Sequence, residues 1–82
     1  MSNQYAETWD VTEVWYDKEW DVWMTTAYDR DGNQIGESEY DHLKLDAEDT
    51  ARAYLDSDRC ERVRIKGKDG MIQRAYGKEN RA

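Results

Sequence analysis

Apolar and polar residues alternate along the first part of the chain. From Tyr5 to Tyr16 one side carries Tyr5, Glu7, Trp9, Val11, Glu13 and Trp15, and the other carries Ala6, Thr8, Asp10, Thr12, Val14 and Tyr16. A period of two in β-branched and aromatic residues predicts a strand. Asp17-Lys18-Glu19 reads as a tight turn into a second strand, Trp20–Tyr28, with Trp20, Val22, Met24, Thr26 and Tyr28 on one face and Asp21, Trp23, Thr25 and Ala27 on the other. Asp29-Arg30-Asp31-Gly32-Asn33 is the strongest turn signal, because Asp-Gly and Asn tolerate the left-handed backbone of hairpins. A third strand, Gln34–Tyr40, returns antiparallel.

The period then changes. Ala47, Ala51, Tyr54 and Leu55 fall at i, i+4, i+7 and i+8, an apolar helical stripe that ends near Ser57–Arg59. Asp46 is placed to cap this helix, with Glu48 and Asp49 in the first turn where its dipole favours anions. Arg62–Lys66 predicts a fourth strand, with Val63 and Ile65 inward and Arg62, Arg64 and Lys66 outward. Gly67-Lys68-Asp69-Gly70 turns the chain into a fifth, Met71–Tyr76, and Gly77–Ala82 reads as a frayed polar tail. The expected fold class is α+β: one domain over residues 1–82, a single antiparallel β-sheet with element order β-β-β-α-β-β, and one helix packed on one face.

One helix covers one face only, yet the first two strands carry large apolar groups on both. Placing Trp9, Val11, Trp15, Trp20, Val22 and Met24 under the helix leaves Val14, Tyr16 and Trp23 on the open face. Tyr16 and Trp23 are then candidate aromatic contact residues, since exposed aromatic surface often marks an interface. The alternative is a mixed aromatic and threonine face that needs no partner.

Composition changes this picture in two ways. Charged residues make up 38% of the chain, a level compatible with disorder, but four Trp and six Tyr in 82 residues supply enough burial for a core. The charges are also sorted. Residues 1–58 hold sixteen acids and four bases (4 − 16 = −12), and residues 59–82 hold eight bases and three acids (8 − 3 = +5), giving the net −7. Cys60 is the one cysteine, so no internal disulfide forms, which fits a reducing compartment. Met-Ser-Asn-Gln-Tyr lacks a leader pattern, and no apolar run is long enough to span a bilayer. The expectation is a soluble cytoplasmic protein with no membrane partner.

No residue set announces a reaction. His42 and Cys60, each the only one of its kind, flank the predicted helix at opposite ends, and zinc sites need clusters of such residues. The Asp29–Asn33 segment has a basic residue in its second position and lacks the ligand series of a calcium loop. The glycine turn at residues 67–70 is no phosphate cradle. The expectation is a non-enzyme with no cofactor, no metal and no catalytic residues.

Charge is the stronger signal. Glu37, Glu39 and Asp41 share one face of the third strand, about 6.5–7 Å apart by strand rise. Asp17, Glu19 and Asp21 alternate around the first turn, and Glu48, Asp49, Asp56 and Asp58 extend the field along the helix. Such a field attracts basic clefts, including those that hold nucleic-acid phosphates, or serves only to solubilise the surface. Conversely, Arg62, Arg64, Lys66 and Arg74 form a basic set that could hold a phosphate backbone beside an exposed aromatic. Cross-strand pairing of that set with Glu37, Glu39 and Asp41, or with Glu7 and Glu13, is the simpler reading.

Small size, acidic balance, one helix on a sheet and the layout from Ala47 to Tyr76 (short helix, Val63-Arg64-Ile65, glycine turn, aromatic-bearing strand) resemble the anti-CRISPR inhibitor proteins of phages and mobile elements. That resemblance implies binding to a CRISPR surveillance complex and blocking of target DNA, sometimes by imitating DNA charge. It carries no functional residue over by position. The expected function is thus a non-enzymatic interaction module, an inhibitor that occupies a basic cleft through Asp17, Glu19, Asp21, Glu37, Glu39 and Asp41 with Tyr16 and Trp23. Two alternatives stand beside it: a direct nucleic-acid binder using the basic set, and a homodimer that buries the open tryptophan face.

Overall fold

Each predicted element exists, and the differences lie in how they are joined. The computed structural model describes residues 8–78. Its elements are β1 (Trp9–Asp17), β2 (Val22–Tyr28), β3 (Gln34–Asp41), α1 (Lys44–Asp56), β4 (Cys60–Lys66) and β5 (Ile72–Gly77). β1, β2 and β3 form an antiparallel meander, while β4 pairs parallel to β1 and antiparallel to β5. The strand order is β3-β2-β1-β4-β5. The fold is α+β as expected, but the sheet is mixed and not purely antiparallel. The reason is the crossover. α1 carries the chain back to the end where β3 began, so β4 runs in the direction of β3 and of β1. With β2 on one side of β1, β4 takes the other.

This pairing reverses the expected faces. Val63 sits opposite Thr12, and Ile65 opposite Val14. Beyond Cys60 at its start, β4 is apolar at Val63 and Ile65, and Arg62, Arg64 and Lys66 alternate with them on the other face. The helix must cover the apolar face, and the register commits β1 to covering Thr12, Val14 and Tyr16. Val14, Val63 and Ile65 are fully buried against Ala47, Ala51 and Leu55 of α1, with Trp23 and Ala27 from β2. Val11, Glu13 and Trp15 of β1 therefore belong to the open face. Trp9, at the strand start, still reaches the core: its ring stands edge-on to Tyr54 at 5.1 Å, and its Nε1 donates to Thr12 Oγ1 at 2.7 Å.

The ends of the elements shift for local reasons. The first turn is longer than expected, because Asp17 Oδ1 accepts the backbone N–H of Glu19 at 3.0 Å and of Trp20 at 3.4 Å. Trp20 is thereby a turn residue and β2 begins at Val22. α1 starts at Lys44 after Leu43 with no side-chain cap, so Asp46 is a first-turn acid and not the cap. Asp58, with φ of 64°, ends the helix in the left-handed region. β5 continues to Gly77, and Lys78 pairs with Asp58 at 3.5 Å and Glu61 at 3.3 Å, so these two residues are no tail. The expected strand residues Tyr5–Glu7 and the tail at 79–82 lie outside the described residues. Among the described residues, no helix is long and apolar enough to cross a membrane.

Candidate functional site

The acidic residues singled out from sequence divide between two places. Asp17, Glu19 and Asp21 sit together at the β1–β2 turn, and Asp41 joins them at the same end of the sheet, because Asp17 pairs with Val22 and Trp23 with Asp41. Asp21 adopts φ of 55° and accepts a hydrogen bond from the Tyr16 hydroxyl, which holds the Tyr16 phenol above its ordinary value. Glu37 and Glu39 lie further along β3. Glu39 is engaged in the fold: its Oε1 accepts the Tyr54 hydroxyl at 2.7 Å.

The two aromatic candidates are not on the open face. Trp23 is only 7% exposed, beneath the helix side of the sheet, with Tyr16 at 5.1 Å between ring centroids and the Lys44 ammonium 5.2 Å from its ring centre. The reversed faces described above account for this. The aromatics that do stand free are Trp20, 73% exposed, and Tyr40, 63% exposed. Together with Asp17, Val22, Met24 and His42 they line a groove of about 470 Å³ on the open face. Val22 and Met24 come from β2, Tyr40 from β3 beside Met24, and His42 meets the Tyr40 ring edge-on at 5.9 Å. The groove is an apolar trough with one carboxylate on its wall and a cluster of acids at its end. Tyr40 and His42 were missed because nothing local marks β3 as facing a groove. Trp20 had a signal, the Asp17-x-x-Trp20 spacing of an Asx-type turn.

Comparisons with protein-family models, curated proteins and solved structures find no match to this chain.

The basic set does not act as one surface. Arg62 Nη2 lies 2.6 Å from Asp10 Oδ2, while Arg64 Nε and Lys66 Nζ lie 3.2 and 3.4 Å from the carboxylate of Glu13. Pairing with Glu13 follows the sequence expectation. Pairing with Glu37, Glu39 or Asp41 does not occur, because β3 is at the far edge of the sheet. Arg74 belongs to the other face, where its Nη1 donates to the Tyr76 hydroxyl at 3.2 Å.

Nor do the nucleophile candidates meet. Cys60 starts β4 beside Trp9, whereas His42 follows β3 at the other end of the sheet, ~26 Å away by strand rise along β1. Cys60 is buried, and that burial pushes its thiol up, away from the reactive thiolate. Among the described residues no three His, Cys, Asp or Glu side chains cluster so as to hold a metal ion.

Proposed function

We propose that this chain is a non-enzymatic interaction module that binds a protein partner through the groove at the β1–β2 turn. The observation that carries this reading is the meeting of two exposed aromatics, Trp20 and Tyr40, on the uncovered sheet face with the acids Asp17, Glu19 and Asp21 of the β1–β2 turn at its end. Aromatic anchors supply burial at an interface, and a surrounding negative field selects a partner of opposite charge and speeds its approach. In a chain of net charge −7, that partner is a protein with a basic cleft. Nucleic-acid-handling complexes are the class whose clefts carry such charge, and inhibition by occupying the cleft follows. A CRISPR surveillance complex is the narrowest form of this reading. The pairing of Arg62 with Asp10, and of Arg64 and Lys66 with Glu13, weighs against direct nucleic-acid binding.

The test is affinity capture from the native host, with wild-type chain, Trp20→Ala and the Asp17→Lys/Glu19→Lys double variant as parallel baits. A partner with a basic cleft should be retained by wild type, released by raising salt, and lost from both variants. Equal retention by all three baits, or capture indifferent to salt, would falsify the reading.

A further inference from the structure

Most cations of the described chain face a carboxylate or an aromatic ring. Lys44 pairs with Glu48, Arg62 with Asp10, Arg64 and Lys66 with Glu13, and Lys78 with Asp58 and Glu61. Arg59 lies over the rings of Trp9 and Tyr54, and Lys68 over Tyr16. Arg52 also lies over a ring, that of Tyr76, at 5.3 Å from its centre, but it shares the Tyr76 hydroxyl with a second cation, Arg74. Arg52 projects from α1 and Arg74 from β5, and both point at one atom: Arg52 Nη2 donates to the Tyr76 hydroxyl oxygen at 2.9 Å and Arg74 Nη1 at 3.2 Å. Among the described residues, neither guanidinium has a carboxylate within ion-pairing distance.

Two like charges on a neutral phenol are an unusual choice in a chain with nineteen acids. The hydrogen-bond inventory says what the cluster lacks. The phenol oxygen already accepts from both guanidiniums, so its own proton is left to donate. Each guanidinium retains further N–H groups in its planar fork. The three side chains thus present donors only, held on a helix and a strand that the core fixes relative to one another. The acid that acts on Arg74 from nearby is Glu48, one turn before Arg52, buried and shared with Lys44 at 3.9 Å. The hydrogen bonds from Arg74 and Arg52 hold the Tyr76 phenol below its ordinary value.

We propose that Arg52, Arg74 and the Tyr76 hydroxyl form a binding site for a phosphate group. A tetrahedral oxyanion presents several acceptor oxygens to two forks at once and removes the like-charge repulsion. The site lies on the helix-covered side toward the β5 edge, so the proposal does not rest on the groove. Its phosphate could be the free ion or an ester on a larger molecule.

The test is a titration of the ¹⁵N-labelled full chain with inorganic phosphate, and separately with phenyl phosphate, at constant ionic strength. The Nε–Hε signals of Arg52 and Arg74 should shift saturably while those of Arg30 and Arg62 stay. Arg52→Gln or Arg74→Gln should weaken binding about tenfold or more, the loss of a charge-assisted hydrogen bond. Tyr76→Phe should weaken it by about threefold, a neutral donor. The same spectra report whether each variant is folded; Arg52→Lys, which keeps charge but loses the fork, stands in if Arg52→Gln is not. Phenyl phosphate binding tenfold tighter than the free ion assigns an ester as the ligand, and equal affinities assign the free ion. Shifts that fail to saturate, that sodium chloride reproduces, or that survive Arg52→Gln/Arg74→Gln overturn the site.

Discussion

Replacing Thr25 by valine should make this protein more stable. Thr25 lies in β2 between Val14 and Glu39, is 3% exposed, and its Oγ1 is buried with no hydrogen-bond partner. Thr25 lines a void of about 10 Å³ together with Trp9, Thr12, Ala27, Glu39 and Tyr54. An unmet buried polar group costs about 1–3 kcal/mol, and valine removes it while preserving volume and β-branching. The expected gain is about 1–2 kcal/mol, since part of the desolvation cost is relaxed by the polar Tyr54–Glu39 pair nearby. In a domain of this size each kcal/mol moves Tm by about 4–8 °C. Urea unfolding followed by tryptophan fluorescence should show a higher midpoint at unchanged slope. Thr25→Ser, which keeps the hydroxyl and loses the methyl, should instead cost about 1 kcal/mol. A neutral or destabilised Thr25→Val, with unchanged slope, would mean the hydroxyl is satisfied and would refute the reasoning.

Two further outcomes follow from the charges. Glu13 is 7% exposed and faces both Arg64 and Lys66, so Glu13→Gln leaves two cations without a counter-charge. With both cations partly in solvent, the loss in urea unfolding should be about 1–2 kcal/mol, between the exposed and buried limits; an unchanged midpoint would show that solvent screens the trio completely. Asp29 accepts the backbone N–H of Asn33 and of Asp31, both at 2.9 Å, and these bonds hold its carboxyl below the ordinary value. A lowered folded pKa contributes stability that is present above the unfolded value, about 3.9, and is lost as pH falls through the folded one. Wild type should therefore lose more stability than Asp29→Asn on acidification through that window, and parallel curves for the two would contradict the assignment.

Local chemistry made the meander, the Asp29–Asn33 turn and the helical stripe readable from the residues alone. Each rests on contacts within a few positions, such as Gly32 at φ of 87° or Ala47 and Ala51 one turn apart. What could not be read was set by contacts between distant segments. The parallel pairing of β4 with β1 joins Val63 to Thr12 across 51 positions, and it alone decides which face of β1 meets the helix. The misplacement of Tyr16 and Trp23 followed from that one unknown. The acidic half of the candidate site was legible because Asp17, Glu19 and Asp21 are neighbours in sequence. Its aromatic half was not, since Trp20, Tyr40 and His42 meet only after β2 and β3 pair.

The charge asymmetry along the chain becomes an asymmetry across the sheet. β3 and β5 are its opposite edges, four strand spacings or ~19 Å apart. Had β4 packed beside β3, its cations would have cancelled Glu37 and Asp41. Pairing with β1 spends them on Asp10 and Glu13 instead, in the middle of the sheet, and leaves the acids near the β1–β2 turn without that counter-charge. The excess cations then collect on the other side, where α1 and β5 bring Arg52 to Arg74. Under the two proposals above, one small sheet carries an acidic surface at the β1–β2 turn and a basic one where α1 meets β5, and the crossover through α1 is what sets β4 between them.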